Sequence, residues 1–353
     1  MDALRSRLLA AIGASAFLIA SLGGSAATAA EHAWEPFDVD AETSCADGSD
    51  VGFLERHADP RKVVLYFEGG GACFSAETCG FDSPEKSYMS SSEATPEMLA
   101  QRGGIFDAAN PENPLAEYSF VYVPYCTGDA HLGTRTARYD ETLTVEHKGY
   151  LNATAALDHL VASYPDVEEL VVTGVSAGSI PTPLFAGLAA DALPGASILT
   201  LGDGSGAYPD EPLLNAFIGT LWGTEGAIPD WPATDGVTLR EWGIPALYRY
   251  AGQHAPEVTF ARFDYAYDEA QTFYAGLVGV AADELLSLID ANDAQITAAG
   301  VDLVSFTAAG TDHTVLWRDE LYALEVDGVR LIDWLASLVD GETPPDVRCT
   351  DCR

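Results

Sequence analysis

Basic residues are scarce in this sequence, which holds 17 lysines and arginines against 54 aspartates and glutamates in 353 residues. Only Lys62, Lys86 and Lys148 are lysines. The formal net charge of −37 excludes nucleic acid as a natural partner, because binding to phosphate backbones requires a basic surface. A surface dominated by carboxylates is typical of a protein that stays soluble in salty or acidic surroundings.

Long apolar runs are absent after the first 30 residues. The one such run, Leu8 to Leu22, follows Arg5 and Arg7 and precedes small residues that end at Ala30. This layout is typical of a secretory signal peptide, since a membrane-spanning helix needs roughly 20 apolar residues. We therefore expect residues 1–30 to be cleaved off. The remaining chain should have no membrane span and should be secreted or periplasmic.

No Ser/Gly linker, block of like charges or internal repeat interrupts the rest of the chain. One domain over residues 31–340 is expected, as a monomer, with a Pro- and Cys-containing tail over 341–353. Short apolar runs alternate with helical patterns, which predicts an α/β fold with a mainly parallel sheet flanked by helices. The predicted strands are 63–67, 120–124, 170–173, 198–201, 258–263 and 303–306, and the predicted helices are 151–162, 181–192 and 285–296.

A G-x-S-x-G motif, Gly174-Val175-Ser176-Ala177-Gly178, lies between a predicted strand and a predicted helix. On a sharp strand-to-helix turn the serine hydroxyl is exposed above the sheet, and the glycines let strand and helix pass without Cβ clashes. This context favours a nucleophilic Ser176 over a plain glycine-rich turn. It also makes the fold α/β-hydrolase-like, a single domain with inserted loops.

A second glycine-rich segment, Glu68-Gly69-Gly70-Gly71-Ala72, follows the predicted strand 63–67. Backbone amides without side chains can approach a substrate oxygen closely, and one such donor is typically worth on the order of 10²–10³ in rate. We predict that the N–H groups of Gly70, Gly71 and Ala177 form an oxyanion hole. A nucleotide-phosphate loop is the alternative, but the Gly-Lys-Ser/Thr sequence is missing.

The general base should be a histidine that follows the serine, since this fold uses the chain order Ser, then Asp or Glu, then His. His313 follows the predicted strand 303–306 and is the candidate base. His254 lies in the segment 252–256, which the glycine and proline at its ends predict to be a surface loop.

The acid that orients the histidine is less defined by position. Asp264 and Asp268 follow the predicted strand 258–263, and Asp203 follows the strand before it. Asp312 adjoins the histidine and would have to fold back on it. Position alone does not decide which of Asp203, Asp264 and Asp268 is the acid.

Several segments resemble the pectin acetylesterase and Notum carboxylesterase family. The resemblance spans roughly residues 45 to 320. It rests on Glu68-Gly-Gly-Gly-Ala-Cys73, Val123-Pro-Tyr-Cys126-Thr-Gly-Asp-Ala, Gly174-Val-Ser-Ala-Gly178 and Ala266-Tyr-Asp268-Glu-Ala-Gln271. The last of these segments resembles the acid segment of the family and implies that Asp268 is the acid.

Six cysteines are an even number, which in an exported chain indicates disulfides, although fifteen pairings are formally possible. The short spacings 73–79 and 349–352 suit small closed loops. The family resemblance implies the pairs Cys45–Cys126 and Cys73–Cys79, which leaves Cys349–Cys352.

The resemblance implies a serine O-acetylesterase that removes acetyl groups from carbohydrate or another small ester without metal or organic cofactor. The sequence departs from the family at Gly71 and Ala72, where an aromatic is usual, and at Val175, where cysteine is common. Because of these changes, the resemblance does not determine the shape of the acyl pocket. The alternatives are a deacylase of lipid or other acyl chains on the same scaffold, and a non-catalytic glycan-binding relative.

Overall fold

The computed structural model describes residues 32–353, so the predicted signal peptide lies outside the described residues. The described chain contains thirteen strands. In chain order they are β1 (Trp34–Pro36), β2 (Leu54–Arg56), β3 (Asp59–Phe67), β4 (Tyr118–Val123), β5 (Arg135–Arg138), β6 (Thr144–His147), β7 (Glu169–Val175), β8 (Ser197–Asp203), β9 (Thr259–Tyr265), β10 (Leu303–Ala308), β11 (Glu325–Val326), β12 (Val329–Arg330) and β13 (Val347–Arg348).

Ten α-helices flank these strands within residues 32–353, and none of them is long and apolar enough to cross a membrane. They are α1 (Ala76–Cys79), α2 (Pro96–Leu99), α3 (Gly149–Ser163), α4 (Thr182–Ala192), α5 (Pro212–Trp222), α6 (Ile244–His254), α7 (Glu269–Gly276), α8 (Leu285–Ala298), α9 (Glu320–Ala323) and α10 (Leu331–Val339). The six strands and three helices predicted from periodicity are confirmed, although the predictions 120–124, 181–192 and 258–263 each extend one residue beyond the observed element.

Nine of the strands form one sheet in the order β1-β2-β4-β3-β7-β8-β9-β10-β13. The first two pairings are antiparallel and the other six are parallel, which confirms the mainly parallel α/β architecture. Because β7 to β10 are neighbours and parallel, their carboxyl ends meet at one edge of the sheet. The last strand, β13, adds the segment 347–348 to the same sheet.

The core lies on both faces of this sheet. Along β3, Val63, Leu65 and Phe67 face one apolar cluster, whereas Val64 and Tyr66 face the other. Alternation of side chains along a strand explains the division, and burial on both faces explains why the strand is continuously apolar. A rigid central sheet of this kind holds the loops at its edge in place.

The predicted loop around His254 is wrong, because α6 continues to His254. Gly252 does not break the helix but packs closely: a Cβ at this position would lie 2.6 Å from Val301 Cγ1. His254 Nε2 lies 2.8 Å from Asp191 Oδ1, and its ring stacks on Trp231. This histidine therefore has a packing role on the outside of the sheet.

Candidate active site

Ser176 lies at the carboxyl end of β7, in a turn that leads to α4. Its φ of 56° is in the left-handed region, which is strained for a residue with a side chain and clusters at functional sites. The flanking glycines permit the turn, since a Cβ on Gly178 would lie 2.6 Å from the Glu68 carbonyl oxygen. The Ser179 hydroxyl donates to the Ser176 carbonyl at 2.7 Å and stabilises the turn.

His313 follows β10, and Asp268 follows the neighbouring strand β9. The Nδ1 atom of His313 lies 2.7 Å from Oδ2 of Asp268, which is fully buried. Two backbone hydrogen bonds join the same loops, from the Tyr267 amide to the Gly310 carbonyl and from the Glu269 amide to the Thr311 carbonyl, both 3.0 Å. The loops therefore hold the imidazole against the carboxylate.

Asp268 is itself fixed by helix α7. It is the N-cap residue, and its Oδ1 accepts a hydrogen bond from the Gln271 amide at 2.9 Å. The Gln271 side chain donates to Asp268 Oδ2 at 3.1 Å and to Asp264 Oδ1 at 2.9 Å, and it accepts from the Ala207 amide at 2.7 Å. Gln271 is a positioning residue that sequence reasoning missed, although it lies in the acid segment quoted above.

The other two acid candidates have different partners. Asp264 still belongs to β9 and pairs with the buried Arg262, whose Nε lies 3.1 Å from Oδ2. Burial raises the pKa of Asp264 to about 6, partly offset by Arg262. Of the three carboxylates, Asp268 is the one hydrogen-bonded to His313.

Asp203, at the end of β8, accepts hydrogen bonds from the loop that carries His313. Its Oδ2 accepts hydrogen bonds from the Val315 amide at 2.8 Å and the Leu316 amide at 2.9 Å, and its Oδ1 is buried without a partner among the described residues. Burial raises the pKa of Asp203 to about 7, and the two amides offset part of this rise. Thr314, between the histidine and these amides, has a φ of 62°.

The glycine loop after β3 lies against Ser176, since a Cβ on Gly69 would lie 2.8 Å from Ser176 Cβ. The Gly70 carbonyl accepts from the Met89 amide at 3.0 Å, and the Gly71 carbonyl accepts from the Tyr125 hydroxyl at 2.7 Å. Within the described chain, neither the Gly70 nor the Gly71 amide donates to a protein acceptor. Both amides can therefore donate to a bound oxygen.

Buried Glu68 fixes the start of this loop. Its carboxylate accepts from the Tyr125 amide at 3.1 Å and pairs with Arg102 at 3.0 Å, and its carbonyl lies 2.9 Å from His131 Nε2. Burial lowers the pKa of His131 to about 4, so the ring is neutral and Nε2 carries the proton that this bond requires. The sequence analysis identified Glu68 only as part of the glycine-rich segment and did not predict its role in fixing the loop.

A cavity of about 440 Å³ opens beside Ser176 and Ala177. Sequence reasoning did not find it, because its walls come from six separate parts of the chain. Most lining side chains are apolar: Ala72, Phe74, Ala130, Leu132, Ile180, Leu214, Phe217, Ile218, Trp222, Trp242, Ile244, Leu247, Leu277 and Val278, joined by Tyr208 and Tyr274. Such a cavity suits an apolar group attached to the atom that the serine approaches.

Three disulfides connect the cysteines as Cys45–Cys126, Cys73–Cys79 and Cys349–Cys352. The first joins the segment before β2 to the end of β4, and the second closes a loop next to the glycine segment. His147 lies near the second pair, but those two sulfur atoms are bonded to each other and are not available as thiolates. The Cys73–Cys79 disulfide braces the glycine loop from its C-terminal side.

Comparison with known proteins agrees with this fold. The pectinacetylesterase family model matches residues 36–216. The palmitoleoyl-protein carboxylesterase NOTUM of Drosophila melanogaster is 30% identical over 146 residues, which cover 39% of this chain and 21% of that protein. Notum1 of Xenopus laevis is 29% identical over 175 residues, covering 47% and 35%. The matched segments thus span about a fifth to a third of these relatives.

One relative, a Danio rerio protein named inactive palmitoleoyl-protein carboxylesterase notum1b, is 34% identical over 114 residues, covering 31% of this chain and 76% of that protein. The structure of the Wnt deacylase Notum from Drosophila superposes with a TM-score of 0.66 at 20% identity, covering 90% of this chain and 97% of that chain. The class is therefore an α/β-hydrolase-type fold of an esterase family. The chain belongs to the pectinacetylesterase family.

Proposed function

We propose that the protein is a serine carboxylesterase with Ser176 as nucleophile, His313 as general base and Asp268 as the orienting acid. The observation that carries the proposal is the 2.7 Å hydrogen bond between His313 Nδ1 and the buried Asp268, at the sheet edge where Ser176 lies. A Cβ on Gly204, the residue after β8, would lie 3.4 Å from His313 Cε1. The imidazole therefore lies beside the residue that follows β8, and β8 is the neighbour of β7 in the sheet.

In the proposed reaction, Ser176 Oγ attacks the ester carbonyl carbon while its proton passes to His313 Nε2. Asp268 holds the tautomer with the proton on Nδ1 and stabilises the imidazolium. The amides of Gly70, Gly71 and Ala177 donate to the oxyanion of the tetrahedral intermediate. The alcohol leaves with the proton from His313, and water then hydrolyses the acyl-serine by the same steps.

The substrate class that the cavity supports best is an ester with an acyl chain longer than acetyl. A volume of about 440 Å³ lies within the range of roughly 300–1,000 Å³ that accommodates drug-sized ligands, and its walls are mainly apolar. An acetyl group would leave most of that apolar surface unfilled. Relatives named as palmitoleoyl-protein carboxylesterases act on a long acyl chain, in line with this proposal.

An O-acetylesterase acting on glycans, as the sequence resemblance implies, is the second candidate. The match to the pectinacetylesterase family model over residues 36–216 favours it. We further propose that the protein works outside the cytoplasm, secreted or periplasmic. Its three disulfides support this location, because disulfides persist in oxidising compartments.

The two substrate candidates separate in one experiment. The rates of hydrolysis of p-nitrophenyl esters from acetyl to palmitoyl are measured beside acetate release from acetylated glycans, with Ser176→Ala as the control. We expect kcat/KM to rise with chain length beyond acetyl. A maximum at acetyl with release from glycans would favour the second candidate. Absence of hydrolysis with every ester would favour a non-catalytic glycan-binding protein.

A further inference from the structure

Five large apolar side chains are exposed to solvent in the described part of the chain, with exposed fractions from 45% to 71%. They are Leu213, Phe217, Phe273, Leu277 and Val278, and we call this set the apolar rim. Exposed apolar groups that are scattered singly need no explanation, but a contiguous patch marks an interaction surface.

Two helices contribute the apolar rim. Leu213 and Phe217 are four residues apart on α5, and Phe273 and Leu277 are four residues apart on α7 and its C-cap, so each pair shares one helix face. Phe217, Leu277 and Val278 also line the cavity that ends at Ser176. Because these three side chains are also exposed, they lie at the mouth of the cavity, and Leu213 and Phe273 are one helical turn away on the same two helices.

The two segments that carry the rim are acidic and disfavour an anionic partner, although the exposed Arg135 and Arg138 lie beside Phe217. Neither residues 209–222 nor residues 266–284 contain lysine or arginine, and the exposed acids Glu211, Glu269 and Asp283 flank the apolar side chains. The whole chain has a formal net charge of −37. An anionic surface would be repelled by this field at low ionic strength, whereas an uncharged or zwitterionic surface would not.

We propose that the apolar rim docks the protein on the surface of uncharged or zwitterionic lipid in which its ester substrate is dissolved. The proposal rests on the proposed carboxylesterase function, and it identifies how the acyl chain reaches Ser176. With the rim seated on the lipid, a chain moves from one apolar phase into the apolar cavity without crossing water. Exposure of the chain to water would be unfavourable for each of its CH₂ groups.

The first test measures binding alone. The protein is floated with vesicles of ether-linked phosphatidylcholine, which contain no acyl ester to hydrolyse. We expect binding, and a partition coefficient on the order of tenfold lower for L213S/F273S, because both apolar contacts with the lipid are lost. The matched variant L213M/F273L keeps apolar side chains and should bind like the wild type. Added phosphatidylglycerol should weaken binding at low salt and less so at about 1 M salt.

The second test separates this proposal from the proposed function. Leu213 and Phe273 do not line the cavity, so L213S/F273S should hydrolyse a water-soluble short-chain ester at the wild-type rate while losing activity on a long-chain ester dispersed in phosphatidylcholine. If the wild type hydrolyses no soluble ester, the proposed carboxylesterase function is wrong. Vesicle flotation still tests whether the apolar rim binds lipid.

Three results would overturn the docking proposal. The wild type could remain unbound by phosphatidylcholine vesicles, or L213S/F273S could bind them as well as the wild type does. Sedimentation could also reveal a dimer that L213S/F273S abolishes. The rim would then be an interface with a second copy of the chain. Circular dichroism of each variant verifies that the fold is intact.

Discussion

Asp268 and His313 are 45 residues apart in the chain and are joined by a 2.7 Å hydrogen bond between Oδ2 and Nδ1. Asp268 is fully buried, and its carboxylate also accepts from Gln271. An acceptor at Nδ1 fixes the tautomer in which Nε2 is free of a proton, which is the form that a general base requires.

Asp268→Asn should lower kcat by about 10⁴, because an amide in this position stabilises the wrong tautomer and cannot balance the imidazolium charge. The measurement is the hydrolysis rate of a soluble ester by the purified variant. Asp264→Asn is the matched control at the end of the same strand and should retain far more activity. A severe loss in the control with a mild loss in Asp268→Asn would transfer the acid role to Asp264.

Gln271→Leu should lower kcat more than it raises KM, because it removes the side-chain hydrogen bond to the Asp268 carboxylate while Gln271 does not line the cavity. It should also lower the free energy of unfolding by roughly 1–3 kcal/mol, since the Ala207 amide and Asp264 lose a buried partner. Asn292→Leu is the control for stability, since Asn292 is buried nearby and donates to the Gly206 and Tyr208 carbonyls. Equal effects of the two variants on kcat would mean that Gln271 has only a structural role.

Ile218→Trp should shift the chain-length preference toward short esters, because Ile218 lines the cavity and a larger side chain reduces its volume. The ratio of kcat/KM for octanoyl and acetyl esters should fall by on the order of tenfold, equivalent to about 1.4 kcal/mol. Thr220→Trp, on the exposed side of the same helix α5, is the matched control and should leave the ratio unchanged. An unchanged ratio in Ile218→Trp would mean that the acyl chain does not enter this cavity.

Asp203→Asn should change how stability depends on pH. The pKa of Asp203 is about 7 in the folded protein and near 3.8 when unfolded, so the folded state retains a proton that the unfolded state loses. Stability contributed by this group is therefore lost as the pH rises from about 4 to about 7, by up to about 4 kcal/mol. Denaturant unfolding of both proteins between pH 4.5 and 7.5 should give a smaller decline for Asp203→Asn. Parallel curves would contradict the prediction.

The sequence could predict the parts of the molecule that depend on local pattern. The strand and helix around G-x-S-x-G were predicted because periodicity and glycine placement are local properties, and the parallel sheet follows from their alternation. The position of His313 follows from the chain order of the fold. The acid could not be chosen by position, because Asp264 and Asp268 differ only in whether β9 still continues at that residue.

The cavity could not be predicted, because its lining residues come from segments that carry no shared motif. Residues 71–74, 130–132, 176–180, 208–224, 242–247 and 274–278 meet only in the folded structure. The structural role of Gly252 was equally hidden, since a glycine that packs against Val301 looks like a helix breaker in sequence. Local sequence patterns do not reveal close packing between elements that are distant in the chain.

The most direct test of the central claim is to treat the protein with a fluorophosphonate and to locate the label by mass spectrometry while esterase activity is followed. The proposed triad predicts one labelled residue, Ser176, with loss of activity in proportion to labelling, and neither labelling nor activity in Ser176→Ala. His313→Ala should label far more slowly, because the hydroxyl loses its base. Labelling at another serine, or esterase activity that persists in folded Ser176→Ala, would contradict the account.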